Sequence, residues 1–373
     1  MNLEHIPILD HHAHCLFREK IWRITPIEAF LSEAYDPIML ERFVPDNVFA
    51  RRSIRELAGF YGCEPIREAV LEARASWDYI KLARAMLAQT NIEMILVDDG
   101  IWLEVMQPLA QNAEMIGLPC KRVLRLETEL AALVPAHDSW SSLMLAFEKM
   151  LREIAPTLVG LKSIIAYRTG LEIMSHDASA CERAYSSLKS SLKPEIVPRV
   201  NDKALLDEML WTGLRVATET GLPVQFHTGY GDPDLDLRLA NPLHLRPIFE
   251  ARDLTGLRVV MLHCYPFVRE AGYLASVYPG AFMDLGLTIP YMSSHAMLTS
   301  AREALHLAPI TKILFSTDAS RTPELFWLGA RHGRRIIGQA LELTVTDNDL
   351  TDPEGEWAAK RILHDNALEL YDL

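Results

Sequence analysis

Asp10, His11, His12 and His14 crowd the start of the chain, directly after the apolar run Ile6 to Leu9. Read as a strand, this segment alternates its side chains. Ile8, Asp10, His12 and His14 then share one face, and Leu9, His11 and Ala13 the other. Two imidazoles two residues apart can converge on one metal ion from a rigid strand, and neutral imidazole is the commonest ligand for zinc and its neighbours. The bland alternative is a chance cluster of satisfied or exposed histidines at a strand end. Later apolar runs also carry titratable groups: Lys162, His227, His263 and Asp318 lie within or just after them. A charge or imidazole in such a place is costly without a partner. A lone histidine after a strand is more often structural, but five strands aiming such groups at one place are hard to produce independently.

These groups need a scaffold that gathers strand ends. After His14, residues 25–89 read as helices broken at Pro37, Pro45 and Pro65, an insertion behind the first strand. Thr25-Pro26-Ile27-Glu28 has the form of a helix start: cap, proline, acidic first turn. Then strands and helices alternate. Strands are expected at Ile92–Val97, Arg122–Leu126, Leu158–Tyr167, Pro223–His227, Val259–His263, Phe282–Leu285 and Ile313–Ser316. Helices are expected at Trp102–Ile116, Leu143–Ile154, Leu205–Thr220, Pro242–Ala251, Phe267–Val277 and Ala296–Leu307. A helical tail follows, Pro323–Ala340 and Glu354–Leu370. Eight apolar strands alternating with helices imply parallel pairing with both faces covered. A doubly wound open sheet is the competitor, but its GxGxxG signature is absent after the first strand. The α/β fold expected is a closed (β/α)8 TIM barrel, one domain over residues 1–373, with catalytic groups at the C-terminal ends of its strands.

Composition narrows the function. The chain has 373 residues, 49% apolar and 23% charged, as in globular proteins. A net charge of −13 argues against nucleic acid or anionic membrane as partner. No run spans a bilayer and no secretory signal stands out. The five cysteines, unpaired in spacing, suit a reducing cytoplasm. The partner expected is a small-molecule substrate, and the composition permits a homo-oligomer.

HxH on the first strand, His227 on the fifth, His263 on the sixth and Asp318 on the eighth resemble the pattern of the amidohydrolase superfamily. More narrowly, Phe226-His227-Thr228-Gly229-Tyr230-Gly231-Asp232, Asp234 to Leu239 and Asn241 to Arg246 resemble the amidohydrolase half of plant and fungal proteins that also carry a glutamine-synthetase-like half. Gly160-Leu161-Lys162-Ser163, Tyr167-Arg168-Thr169-Gly170, Tyr265-Pro266-Phe267 and Phe315-Ser316-Thr317-Asp318 agree with that subgroup.

The resemblance implies roles. His12, His14, His227 and Asp318 would bind a divalent metal, Zn2+ before Mn2+, one ion per chain rather than two. The metal lowers the pKa of its water from ~15.7 to about 7, and Asp318 would take the proton. His263 is either a further ligand or, as expected for one metal, a group that hydrogen-bonds the substrate carbonyl. Asp10 is a plausible orienter of an imidazole. Lys162 is read as a carbamylated bridge between two metals, a substrate binder or a buried salt-bridge residue. Arg168, Arg238 and Arg246 could grip a substrate carboxylate, against surface pairing with Asp232, Asp234 or Asp236. Tyr265 could line the pocket. Cys15 and Cys264 are read as packing residues, and Trp22, Trp77 and Trp102 as core, with Trp77's helical insertion a candidate lid. The reaction expected is hydrolysis of a C–N amide bond, with γ-glutamyl amides suggested by gene architecture. A decarboxylase on the same scaffold and a non-catalytic binding module are the alternatives.

Overall fold

The computed structural model describes residues 1–192, 197–287 and 291–373. Its strands are β1 (Ile8–Ala13), β2 (Ile92–Asp98), β3 (Cys120–Arg125), β4 (Gly160–Ser163), β5 (Val224–His227), β6 (Val259–Leu262), β7 (Ala281–Asp284) and β8 (Ile313–Leu314). Each pairs parallel with the next in one sheet of order β1 to β8. The ring is drawn together past β8. There Asp318 N donates to His12 O (3.0 Å), His14 N donates to Ala319 O (2.8 Å), and Leu16 bridges Arg321. The architecture is the expected (β/α)8 barrel.

The strands read as nearly continuous apolar runs because both faces are covered. Leu9, Leu96, Val123, Val260, Leu262 and Leu314 form an interior cluster with Leu370 and Tyr371. Their neighbours one residue along, such as Ile95, Val97, Leu124, Met261 and Phe315, pack into the outer core. Gly160, first in β4, leaves room for the Tyr371 ring: a Cβ there would stand 3.3 Å from its Cε1.

β1 departs from strict alternation. Its pairing with β2 shifts register after Ile8 and again between Asp10 and Ala13. Leu9 faces the interior and Ile8 and Ala13 the outer core, yet His11 and His12 both reach interior partners, Tyr371 and Gln225. An irregularity of this kind re-aims a side chain. Asp10, expected to orient an imidazole, instead accepts from Thr317 N (2.9 Å) and Thr317 Oγ1 (2.5 Å). It therefore anchors the residue before Asp318.

Between β1 and β2 the chain is helical, as expected, over Val48–Tyr61, Arg67–Ser76 and Tyr79–Leu87, and a further helix, Glu19–Ile24, precedes the expected insertion. Thr25 opens no α-helix. Its hydroxyl donates back to Ile21 O (2.8 Å), which leaves a single turn over Ile27–Phe30. Two buried contacts fasten the insertion to the barrel. Arg74 Nε meets Glu324 Oε1 at 2.5 Å, and Tyr79 Oη donates to Phe17 O (2.9 Å). Trp22 stacks on Tyr79 at 4.5 Å and belongs to the core.

Other boundaries moved for local reasons. The helix expected from Trp102 begins only at Leu109, because Trp102 has φ of 45° and Pro108 precedes the first turn. Helices Leu126–Leu133 and Ala178–Ser191 are additional to those expected, and the tail helix runs over Pro323–Thr346. Among the described residues no helix is long and apolar enough to cross a membrane.

Candidate active site

The strand ends supply a cavity of about 290 Å³ whose lining includes His12, His14, Lys162, His227, His263 and Asp318. At its centre, Oδ1 of Asp318 lies 3.2 Å from His12 Nε2 and 3.5 Å from His14 Nε2. The ligand atoms of these three residues all lie within 4.8 Å of one another.

Hydrogen-bond bookkeeping says what this cluster can hold. His14 Nδ1 lies 2.8 Å from the backbone carbonyl of Asp98, which only accepts, so Nδ1 carries a proton and the neutral form of the ring offers its lone pair at Nε2. His12 Nδ1 faces the amide oxygen of Gln225 at 2.8 Å, with the same result. Burial, with Lys162 nearby, pushes His12 down to about 3, so its ring is neutral at pH 7. Two imidazole lone pairs and a carboxylate oxygen therefore converge, acceptor against acceptor, and among the described residues Asp318 Oδ1 has no hydrogen-bond partner. Such a donor set fits a divalent cation.

His227 and His263 stand beside this triad, their rings 4.6 Å apart. His227 Nε2 and His263 Nδ1 are buried without hydrogen-bond partners among the described residues, and His263 Nε2 lies 3.9 Å from Asp318 Oδ2. Burial pushes His227 well below its ordinary range and His263 to about 4, so both rings are neutral. His227 lies outside the three-residue cluster but lines the same cavity. Gly231 lets the loop after β5 approach: a Cβ there would stand 2.1 Å from Tyr167 Oη and 3.0 Å from His227 Nε2. His263 and Asp318 have φ of 69° and 47°, left-handed values that cost about 1–2 kcal/mol each outside glycine. Asp284, whose Oδ1 accepts from His263 N (2.5 Å), and His12 O, which accepts from Asp318 N, hold those conformations.

Lys162 is buried, its Nζ 3.5 Å from His12 Nε2. Burial lowers it to about 8, against the opposing fields of Asp98 and Asp318. Arg125 grips Asp98 through Nε (2.9 Å) and Nη2 (2.6 Å), which fixes the carbonyl under His14. Arg199 pairs with Asp234 at 2.8 Å, and Arg321 with Glu33 at 3.5 Å. Arg168 also lines the cavity. Among the described residues its one side-chain hydrogen bond is to the carbonyl of Tyr167, at 3.5 Å, and no carboxylate pairs with it.

Three residues expected in the pocket lie outside its lining. Arg238 is 88% exposed and clamps its own neighbour Asp236 at 2.7 Å, the self-pairing weighed against substrate binding. Tyr265 is 38% exposed, beyond the cavity. Arg246 likewise pairs with Glu250 on the surface. Trp102, expected in the core, is 40% exposed and lines the cavity. Cys15 and Cys264 are free and buried, as expected of packing residues.

Sequence reasoning missed Gln225, Arg125, Arg199, Glu33 and Tyr35. Gln225 left a usable trace, since an amide inside the apolar strand Val224–His227 needs partners. Glu33 and Tyr35, in an irregular stretch of the insertion, left none. Tyr35 Oη donates to Asp232, so the insertion touches the loop after β5 over the pocket.

A parallel barrel that presents a His–His–Asp cluster at the C-terminal ends of its strands defines a metal-dependent hydrolase scaffold. The amidohydrolase family profile Amidohydro_2 matches residues 195–373. Protein fluG of Emericella nidulans is 30% identical over 408 residues, an alignment covering 98% of this chain and 46% of fluG. The chain thus spans about half the length of that curated relative. A crystal structure from Lactobacillus casei ATCC 334, described as a metal-dependent hydrolase, is 30% identical with a TM-score of 0.86, covering 100% of this chain and 97% of that one. The uronate isomerase of Thermotoga maritima, 14% identical with a TM-score of 0.68 over 99% of this chain and 95% of its own, shares the fold. The chain belongs to the amidohydrolase superfamily of metal-dependent enzymes.

Proposed function

We propose that this chain hydrolyses a C–N amide bond in a small carboxylate-bearing molecule, with a γ-glutamyl amide as the leading candidate, using one Zn2+ or Mn2+ per chain. The observation that carries the reading is the acceptor cluster of His12, His14 and Asp318 in a cavity that also holds the unpaired Arg168. These three residues would hold the cation, joined by His227 from the same cavity wall. When bound, a divalent cation acidifies water and polarises a carbonyl oxygen.

The chain's own groups do the rest. Asp318 accepts the proton of the attacking water and returns it to the departing nitrogen. His263, neutral and beside Asp318 Oδ2, donates a hydrogen bond to the substrate carbonyl. Lys162 offsets negative charge that develops at the reacting carbon's oxygen. Arg168 grips the carboxylate with Arg199 beside it. Glu33 and Asp232 suit the ammonium group of a glutamyl head. Residues 1–373 act as one barrel domain, and the insertion, through Glu33 and Tyr35, forms a lid over the mouth.

The test is glutamate release from a panel of γ-glutamyl amides by zinc-loaded and manganese-loaded protein, with carbon dioxide release from aromatic and enoic acids measured in parallel. Glutamate release that falls by about 10²–10⁴ in Asp318→Asn is expected. Silence across the amide panel with metal-replete protein, or carbon dioxide release instead, overturns the reading.

A further inference from the structure

A line of buried side chains runs from the barrel floor to His12. Gln225, on β5, points into the barrel. Its Nε2 lies 2.8 Å from the backbone carbonyl of His11 and 2.7 Å from Tyr371 Oη, and its Oε1 lies 2.8 Å from His12 Nδ1. Tyr371 Oη lies 3.2 Å from His11 Nδ1, and His11 Nε2 lies 3.1 Å from Asp284 Oδ2. All five side chains are 4% exposed or less.

The direction of every bond follows from two groups that can only accept, the His11 carbonyl and the Asp284 carboxylate. The His11 carbonyl requires the Gln225 amide to present its NH2 group there, which turns the amide oxygen to His12. His12 must then donate from Nδ1. The second amide hydrogen goes to Tyr371 Oη. At the other end the Asp284 carboxylate only accepts, so the neutral His11 ring donates from Nε2 and receives the phenol's hydrogen at Nδ1. Burial would raise the Asp284 carboxyl, but hydrogen bonds from His11 Nε2, Ser316 Oγ and the His263 backbone N–H hold it low, as the anion. The line starts at a fixed anion and ends at the His12 Nε2 lone pair, which faces Asp318 Oδ1 at 3.2 Å and Lys162 Nζ at 3.5 Å.

We propose that Asp284, His11, Tyr371 and Gln225 form a one-way hydrogen-bond relay that locks His12 in the tautomer whose Nε2 lone pair faces Asp318. Tyr371 and Gln225 are positioning residues in this scheme, acting on His12 from the floor of the barrel. The function of the relay rests on the reading of His12 as a metal ligand. Partners of this kind change metal affinity by about 10–100-fold.

The variants are Tyr371→Phe, which removes one oxygen, and Gln225→Met, which removes the acceptor at Nδ1. Three quantities are read on the full chain: zinc affinity by competition with a chromophoric chelator, the ring ¹⁵N spectrum of His12 in metal-free protein, and the thermal midpoint. Expected are zinc binding weaker by about 10-fold in Tyr371→Phe, a larger loss in Gln225→Met, and a His12 spectrum that leaves the pure Nδ1–H form. Unchanged zinc affinity and an unchanged His12 spectrum in both variants overturn the relay, whatever the thermal midpoint does. If wild type binds no zinc and His12→Ala changes nothing, the metal reading fails. The tautomer spectrum still decides the relay in that case.

Discussion

Replacing Arg74 by methionine should cost the fold about 3–5 kcal/mol at pH 7, the usual penalty for stranding one partner of a buried ion pair. Arg74 and Glu324 are 6% and 3% exposed. Beyond Arg74, Glu324 is contacted by Tyr61 Oη (3.0 Å) and by Thr322 Oγ1, neither of which carries a charge. The guanidinium also sits 3.9 Å from the Trp22 ring centroid, a desolvated contact worth about 2 kcal/mol. Methionine keeps much of the apolar volume. For 373 residues at ~2.1 cal/mol/K each, the unfolding entropy is about 0.8 kcal/mol/K, so the thermal midpoint should fall by about 4–6 °C.

The pH dependence supplies a sharper check. In the wild type, burial would raise the Glu324 carboxyl, but the charge of Arg74 and hydrogen bonds from Thr322 and Arg74 hold it below its ordinary value. A carboxyl lowered in the folded state contributes stability above its unfolded pKa of ~4.3 and loses it as pH falls through the folded value. Without Arg74, burial is opposed only by uncharged hydrogen bonds such as that of Thr322, and the folded pKa rises above ~4.3. The folded state then binds the extra proton, so the variant's deficit shrinks on acidification from pH 7 towards pH 5. Chemical denaturation of both proteins across that range measures it. A deficit below about 1 kcal/mol at pH 7, or one independent of pH, would refute the reasoning. The charge-neutral pair Arg74→Met with Glu324→Gln should recover most of the loss. Because Glu324 and Asp318 follow the same strand, β8, the single variant should also weaken turnover beyond its effect on stability.

Three further outcomes are expected. Plasma mass spectrometry on protein purified without chelator should find about one metal per chain, lost in His12→Ala/His14→Ala, whereas nearly two would indicate a bridging, carbamylated Lys162. Arg168→Met should raise KM for carboxylate substrates about 10–100-fold, the value of a hydrogen bond to a charged group, with kcat less affected; Arg238→Ala, whose partner is its own neighbour, should change neither. Gly231→Ala should cut activity at least about 10-fold with a small shift in thermal midpoint, because its Cβ can fit only if Tyr167 or His227 moves.

The barrel was legible because its signal is local and repeated. Apolar runs of strand length alternate with helical periods from Ile92 to Ser316, and a chain of that pattern has few ways to cover both strand faces. His12, His14, His227, His263 and Asp318 were legible for the same reason, as polar groups at the ends of runs that otherwise exclude them. What chain order could not convey was aim. The pairing shifts in β1 send neighbours His11 and His12 both to interior partners and hand Asp10 to Thr317, and no alternation rule contains a register shift. Whether an arginine is free or paired is equally a matter of tertiary distance. Arg168 and Arg238 look alike in sequence, yet Arg238 bends back onto Asp236 in solvent while Arg168 is left facing the cavity. The types of group gathered at the cavity are thus set by the sequence at strand ends. Their protonation, their partners and the wall formed by Glu33 and Tyr35 exist only once segments up to hundreds of residues apart are packed together, because hydrogen bonds and charges act over a few ångströms of space and are indifferent to distance along the chain.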